Sequence, residues 1–192
     1  MIPRHLAIAV AAMMILVIGM GVYVGRMRRR AAQPGVDYGA QLGAPLPEGK
    51  TEAVTLYVAD DAAGVLHAQS AQIPLPGGRQ QRAEELVRAL LRIYQQPGAT
   101  HPVAAAADVR SIYLVAPGMA IVDVNTAFAD QHRSGILDEQ LTVNSLVETL
   151  AVNVPGVSRV RILVDGKTRE TLAGHADLTD FFDVSAVTQS MQ

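Results

Sequence analysis

An uncharged segment near the N-terminus constrains this chain more than any other feature. Leu6 to Gly25 are 20 consecutive residues without a charge. A helix of that length spans about 30 Å, the thickness of the hydrocarbon core of a bilayer. A cleaved signal peptide has a shorter apolar region followed by small residues at its cleavage site. This segment instead runs into a cluster of arginines, so residues 1–30 are predicted to be an uncleaved, single transmembrane helix with a basic flank.

The arginines bear on which side of the membrane the rest of the chain occupies. Four of them follow the uncharged segment: Arg26, Arg28, Arg29 and Arg30. Only Arg4, with the α-amine and His5, precedes it. The positive-inside rule therefore favours a cytoplasmic location for the remainder of the chain, where the arginines could also bind anionic lipid head groups. Gly21 and Gly25 have a GxxxG spacing that could bring two anchors together, although glycine is common in membrane helices in any case.

Composition excludes several classes of function. The 192 residues carry 16 basic and 18 acidic side chains, a net charge of -2, which does not supply the cationic surface that nucleic-acid binding needs. The sequence has no cysteine, which excludes a disulfide, a thiolate metal site, a cysteine nucleophile and a lipid-modified cysteine within it. With no tryptophan, it is also poorly suited to stacking on sugars or bases. Because the sequence has no cysteine to carry a lipid, attachment to a membrane must come from the polypeptide itself.

The chain after the anchor divides into three parts. Residues 31–50 contain three prolines and four glycines without helical or strand periodicity, which indicates a linker. Residues 51–183 carry regular apolar patterns and are predicted to form one domain. Residues 184–192 are predicted to be a disordered tail.

Within residues 51–183, hairpin and helix patterns occur more than once. The strings "EAVTLYVAD" and "VLHAQSAQIP" predict a first hairpin, Pro117-Gly118 a second with a type II turn, and Asp165-Gly166 a third. Asn125 or Thr126 is predicted to cap a short helical segment. Helical spacing in "GRQQRAEELVRALLRIYQQPG" and "LDEQLTVNSLVETLAVNVPG" predicts two amphipathic helices, the first with a Glu84–Arg88 ion pair. The expected fold class is α+β, with a small mixed or antiparallel sheet of hairpins and both helices on one face.

The residues that could carry chemistry are dispersed. The four histidines after the anchor lack the spacing that places two imidazoles on one helix face: His67, His101, His132 and His175. A metal site assembled by the fold is left open. Two acidic groups lack the calcium-loop pattern and are interpreted as turn and cap residues: Asp60 with Asp61, and Asp177 with Asp180 and Asp183.

Motifs for nucleophilic catalysis and nucleotide binding are missing from the sequence. No serine lies in a GxSxG turn, and "PLPGGRQ" lacks the lysine and spacing of a phosphate-binding loop. Four carboxylates could meet in the fold, although unpatterned acidic residues are usually solvated: Glu84, Glu85, Asp123 and Glu148. We therefore predict no catalytic, cofactor-binding or metal-binding residues and no enzymatic activity.

Residues 52–178 resemble the GerMN domain of sporulation and spore germination proteins. The resemblance lies in the order of the strings "VTLYVAD", "ELVRALL", "IYLVAPGMAIVDVNTAF", "LVETLAVNVPGVSRVRILVDG" and "LAGHADL". It implies a compact domain tethered outside the cytoplasmic membrane by a lipid or a single span. It also implies a binding or scaffolding role in envelope assemblies, with no established catalytic residues. The sequence departs from the lipoprotein members by lacking cysteine.

Three hypotheses follow. The first is a non-enzymatic, membrane-tethered interaction or scaffolding domain of the bacterial cell envelope. It would be extracytoplasmic, with envelope proteins, a peptidoglycan-associated complex or further copies of itself as partners. The second is an envelope hydrolase or metal-dependent enzyme whose groups converge only in the fold. The third is a cytoplasm-facing membrane adaptor, as the arginines favour.

Overall fold

The computed structural model of the chain describes residues 49–190. The predicted anchor, residues 1–30, and the linker through residue 48 lie outside the described residues. Within residues 49–190, every helix is too short or too polar to cross a membrane.

The described chain alternates strands and helices, which confirms the predicted α+β class, but two sheets take the place of the single small sheet that the pattern predicts. The elements in chain order are β1 (Thr51–Asp60), β2 (Val65–Pro74), α1 (Arg79–Tyr94), β3 (Val109–Val115), β4 (Met119–Val124), α2 (Thr126–Asp130), α3 (Ile136–Asn153), β5 (Arg159–Val164), β6 (Phe182–Asp183) and α4 (Val184–Ser190). The Asn125 side chain caps α2 by accepting a hydrogen bond from the Phe128 amide. The predicted ion pair on α1 is present, with Arg88 Nη1 3.6 Å from Glu84 Oε2.

The strands form two sheets. β1 and β2 are an antiparallel pair, while β3, β4, β5 and β6 form a four-stranded sheet in that order. In the second sheet β3 and β4 are antiparallel, β4 and β5 are parallel, and β5 and β6 are antiparallel. The parallel pair arises because α2 and α3 lie between β4 and β5 in the chain, and a parallel connection needs such a crossover.

A single aliphatic core joins both sheets to the helices. Alternate strand residues point into it, such as Leu56 of β1, Val122 of β4 and Ile162 of β5, all fully buried. The predicted apolar stripe of α1 is also buried, ending at Tyr94. α1 packs on β3, and α3 packs on β1. The residues on the other face of the four-stranded sheet remain outside this core.

The third predicted hairpin is wrong. A turn does form at Asp165 and Gly166, which have φ of 51° and 71°, but Val164 and Lys167 make only an isolated bridge. β5 instead pairs with β4 on one side and with β6 on the other. Further along the chain, the backbone of residues 173–176 is hydrogen-bonded to Glu139 of α3 rather than to β5.

One further expectation needs correction. The predicted disordered tail contains α4, which is ordered because Val187 is buried in the core and the Thr188 hydroxyl donates to Glu148. The connection between β3 and β4 spans three residues, from Ala116 to Gly118, with a cis peptide bond before Pro117. The φ of 67° at Gly118 is in the left-handed region that the third residue of a type II turn requires, and the turn type itself stays a prediction.

Candidate functional site

A polar stripe on α3 takes the place of a neighbouring strand along β1. Ser145, Thr149 and Asn153 lie four residues apart and are all buried. The Thr149 hydroxyl accepts from the Tyr57 amide at 3.0 Å, and the Ser145 hydroxyl donates to the Tyr57 carbonyl at 2.6 Å. The side-chain oxygen of Asn153 accepts from the backbone amide of Thr55 at 3.3 Å, and its side-chain nitrogen donates to the backbone carbonyl of Thr55 at 2.6 Å. This edge of β1 is thus closed by side chains.

Tyr94 of α1 completes the same arrangement. Its hydroxyl oxygen accepts from the Ala59 amide at 2.9 Å and lies 2.5 Å from Ser145 Oγ. Burial raises the pKa of Tyr94 to about 12, so the phenol stays protonated at neutral pH and acts as a hydrogen-bond donor. Its role is structural, because the hydroxyl lies inside the core.

The start of α3 holds a buried carboxylate. Glu139 is fully buried, and its Oε2 accepts from the amides of Ala173, His175 and Ala176 at 3.0, 2.9 and 2.8 Å. Its Oε1 lies 2.9 Å from His175 Nδ1. Burial raises the pKa of Glu139, but the hydrogen bonds from His175 and the three amides outweigh it and lower the pKa to about 2. Glu139 therefore fastens the segment after β5 to α3.

An aspartate, a histidine and a hydroxyl are aligned beside this carboxylate. Asp61 Oδ1 lies 2.5 Å from His101 Nδ1, and His101 Nε2 lies 2.6 Å from Thr142 Oγ1. This order of groups is that of a nucleophilic triad, in which a histidine activates a hydroxyl. His101 is only 2% exposed and Thr142 only 1%. A substrate cannot reach this hydroxyl in the folded domain.

A second histidine, His132, contacts the same Thr142 hydroxyl. His132 Nε2 lies 2.7 Å from Thr142 Oγ1, and His132 Nδ1 lies 2.6 Å from the Arg133 carbonyl. Burial lowers the pKa of His132, which favours the neutral ring. The Thr142 hydroxyl donates its proton to the Asp138 carbonyl. With both imidazoles and the Asp138 carbonyl, at 3.0 Å, around it, Thr142 is a junction that holds several segments together.

The other candidate residues have separate partners. Glu84 and Glu85 pair with Arg88 on α1, Asp123 accepts from the Gly166 amide at 2.7 Å, and Glu148 binds Thr188. The structure does not bring these carboxylates together. Within residues 49–190, no three acidic or histidine side chains are arranged to hold a metal ion.

Asp60 and Asp177 accept from backbone amides of turns, as predicted, whereas Asp183 is the last residue of β6. Asp60 Oδ1 accepts from the amides of Ala62 and Ala63 at 3.0 and 3.1 Å. Asp177 Oδ1 accepts from the Thr179 amide at 2.7 Å. Asp61 differs, because it binds His101 and Arg133. His67 of β2 stands apart, with Nε2 3.8 Å from Asp60 Oδ2.

The outward face of the four-stranded sheet presents apolar and cationic side chains to solvent. Tyr113, Ile121 and Arg161 form one row across β3, β4 and β5, and Val115, Met119 and Arg159 form the next. Tyr113 is 49% exposed and Val115 is 41% exposed. The guanidinium carbons of Arg159 and Arg161 lie 5.3 and 5.1 Å from the centre of the Phe181 ring, within cation–π range. We call these rows the open face.

Two cavities flank α4. One, of about 450 Å³, is lined by residues including His175, Phe181 and Val187. The other, of about 530 Å³, lies between the β1–β2 hairpin and α3 and is lined by residues including Tyr57 and Leu137. Neither is lined by His101 or Thr142, so these spaces do not connect the triad-like alignment to solvent.

Comparison with known proteins identifies the fold. The Germane family model, described as "Sporulation and spore germination", matches residues 55–170. A solved structure named "Putative Lipoprotein" from Clostridium perfringens is 19% identical, with a TM-score of 0.50, covering 72% of this chain and 91% of that one. The tandem GerMN domains of the sporulation protein GerM from Bacillus subtilis are 22% identical, with a TM-score of 0.52, covering 70% of this chain and 46% of that one. No curated protein sequence matches significantly. Since the family model covers more than half of its length, the chain belongs to the Germane family and contains a GerMN-type domain.

Proposed function

We propose that this chain is a non-enzymatic, membrane-tethered interaction domain of the bacterial cell envelope. The observation that carries the proposal is the open face, where Tyr113 and Val115 stand exposed beside two arginines. Large exposed apolar side chains grouped with arginine and tyrosine are typical of protein-binding surfaces. The partner would be another envelope protein or a cell-wall-associated complex.

The use of the buried polar groups supports a role without catalysis. Glu139 holds three backbone amides, Thr142 is enclosed by two imidazoles, and the α3 stripe is bonded to β1. Catalytic groups need access to substrate and a free position for the reacting atom. An envelope hydrolase acting through Thr142 would require α3 and its surrounding loops to separate first.

The tether and the side of the membrane are also part of the proposal. The similar Clostridium perfringens structure bears the name "Putative Lipoprotein", and we extend an envelope location from that protein to this one. Because the sequence has no cysteine to carry a lipid, residues 6–25 would provide the attachment. The arginines at 26–30 favour the opposite side, a cytoplasmic adaptor, and reporter fusions at the C-terminus distinguish the two orientations.

A photo-crosslinking amino acid at Tyr113 tests the open face. We expect p-benzoylphenylalanine at this position, in the full-length chain expressed in its membrane, to give discrete adducts with envelope proteins identified by mass spectrometry. The same amino acid at Arg92, an exposed position on α1, is the matched control. Adducts at position 113 no more abundant than at position 92 would argue against an interaction role for this face.

A further inference from the structure

The two strands of the β1–β2 hairpin differ in how their outer edges are occupied. On β1, the backbone amides and carbonyls of Thr55, Tyr57 and Ala59 point away from β2. They bond instead to side chains of α3, to Tyr94 and to Thr100. The residues between them, such as Leu56 and Val58, therefore bond to β2.

The pairing then fixes which groups of β2 point outward. Leu56 pairs with Gln69 and Val58 with His67, so the odd-numbered residues of β2 face β1. The even-numbered residues direct their amides and carbonyls to the opposite side. These outward residues are Leu66, Ala68, Ser70 and Gln72. No backbone group of these four has a partner on that side within residues 49–190.

The edge of β2 also lacks the features that prevent strands from associating. From His67 to Gln72 every residue except Ala71 is exposed. The strand has no lysine, arginine, aspartate or glutamate. Natural edge strands are usually protected by such charges, by bulges or by a covering segment. β2 is therefore suited to pairing with another strand.

Both ends of this edge are closed. Upstream, the Gly64 amide is bonded to the Asp60 carbonyl at 2.8 Å within the turn. Downstream, Pro74 has no amide hydrogen to donate. The usable edge is thus the segment from Leu66 to Gln72, which is centred on Gln69.

We infer that β2 pairs with β2 of a second copy of this chain, antiparallel and centred on Gln69. In this register Leu66 faces Gln72 of the other copy and Ala68 faces Ser70. The four outward residues of each copy are all paired, giving about eight interchain hydrogen bonds. Registers centred on Ala68 or Ser70 would oppose an outward group to Gly64 or Pro74 and lose bonds. The uncharged strand places no like charges opposite each other, and the contact is the same on both copies, as twofold association requires.

This inference rests on the proposed interaction role and specifies one partner. It uses the β2 edge, whereas the open face lies on the other sheet. The two surfaces can therefore succeed or fail separately.

A single introduced cysteine tests the register, because the native sequence has none. In the inferred dimer, Gln69 of one chain lies opposite Gln69 of the other at a non-hydrogen-bonded site. The Cα atoms at such a site are about 4.5 Å apart, within the range for a disulfide. Gln72 is also exposed, but the two Gln72 residues of the dimer would lie about 20 Å apart. We expect Q69C in the full-length chain, oxidised in membranes or in detergent, to form a disulfide-linked dimer on non-reducing gels, and Q72C to remain monomeric.

Two variants at Ser70 separate strand pairing from random collision. Ser70→Pro in the Q69C chain removes one outward amide without removing a bond to β1, and should abolish the crosslink. Ser70→Ala in the Q69C chain keeps that amide and should retain the crosslink. Equal crosslinking of Q69C and Q72C, as from contact through the membrane anchors alone, would overturn the inference, and so would no crosslink at Q69C. Either result would leave the Tyr113 adducts, and so the proposed function, unaffected.

Discussion

Replacing Glu139 with glutamine is expected to lower the free energy of unfolding by roughly 3 kcal/mol at pH 7. The carboxylate is fully buried and holds the amides of Ala173, His175 and Ala176. Hydrogen bonds to it outweigh burial and lower its pKa from 4.5 to about 2. An uncharged glutamine accepts these hydrogen bonds less strongly, so the segment from residue 173 to 176 would detach most easily from α3.

The pH dependence of this effect has a definite sign. A carboxyl group whose pKa is lower in the folded state stabilises the fold above its unfolded pKa, about 4.5, and loses that contribution as pH falls towards 2. Urea unfolding at pH 7 and at pH 3 measures it, with Glu170→Gln, an exposed residue of the same segment, as the control. A difference between wild type and Glu139→Gln that does not shrink at pH 3 would contradict the assigned role of the carboxylate.

Replacing Asn153 with alanine is expected to lower the free energy of unfolding by about 2 kcal/mol. Asn153 bonds to both the amide and the carbonyl of Thr55, and its nitrogen also lies 2.7 Å from the Thr149 carbonyl. Alanine would leave the edge groups of β1 without partners in a largely buried place. The expectation follows from the stripe on α3 acting in place of a strand.

Two variants control this measurement. Asn153→Asp keeps the shape and the acceptor oxygen but directs an oxygen at the Thr55 carbonyl, so it should be no more stable than the alanine variant. Val152→Ala changes the neighbouring residue, which is 53% exposed, and should alter stability by less than about 0.5 kcal/mol. Equal unfolding midpoints for Asn153→Ala and Val152→Ala would show that β1 does not depend on the stripe.

The sequence was sufficient to predict helices and strands wherever buried residues recur at a regular helical or strand spacing. The stripe from Ala83 to Tyr94 predicts α1, and the alternation around Leu56 and Val122 predicts the inward faces of β1 and β4. The family resemblance to the GerMN domain is confirmed by the family model, which matches residues 55–170. The α+β class followed from these local patterns.

Polar residues caused the main failures. Ser145, Thr149 and Asn153 have the spacing of a solvated helix face, and only the fold places β1 against them. Their four-residue spacing was the one available signal, and it does not distinguish a solvent face from a face bonded to a strand. For the same reason, the start of α3 did not predict that Glu139 would capture residues 173–176.

Long-range contacts between single residues were also beyond the sequence. His101 and His132 are too far apart in the chain to suggest a shared partner, yet both contact Thr142. The strand edge of β2 could be identified only after the register with β1 was known. The edge proposed for self-pairing therefore depends on the structure, whereas the anchor depends on the sequence alone.

The envelope location is the central claim, because an interaction domain on the wrong side of the membrane could not meet the proposed partners. Full-length chains fused at the C-terminus to alkaline phosphatase, which is active only after export, or to green fluorescent protein, which fluoresces when it folds in the cytoplasm, measure it directly. A fusion of residues 49–190 alone provides the cytoplasmic reference. Our account predicts high phosphatase activity and no fluorescence. Fluorescence with inactive phosphatase would contradict it and would show that the arginines at 26–30 set the orientation.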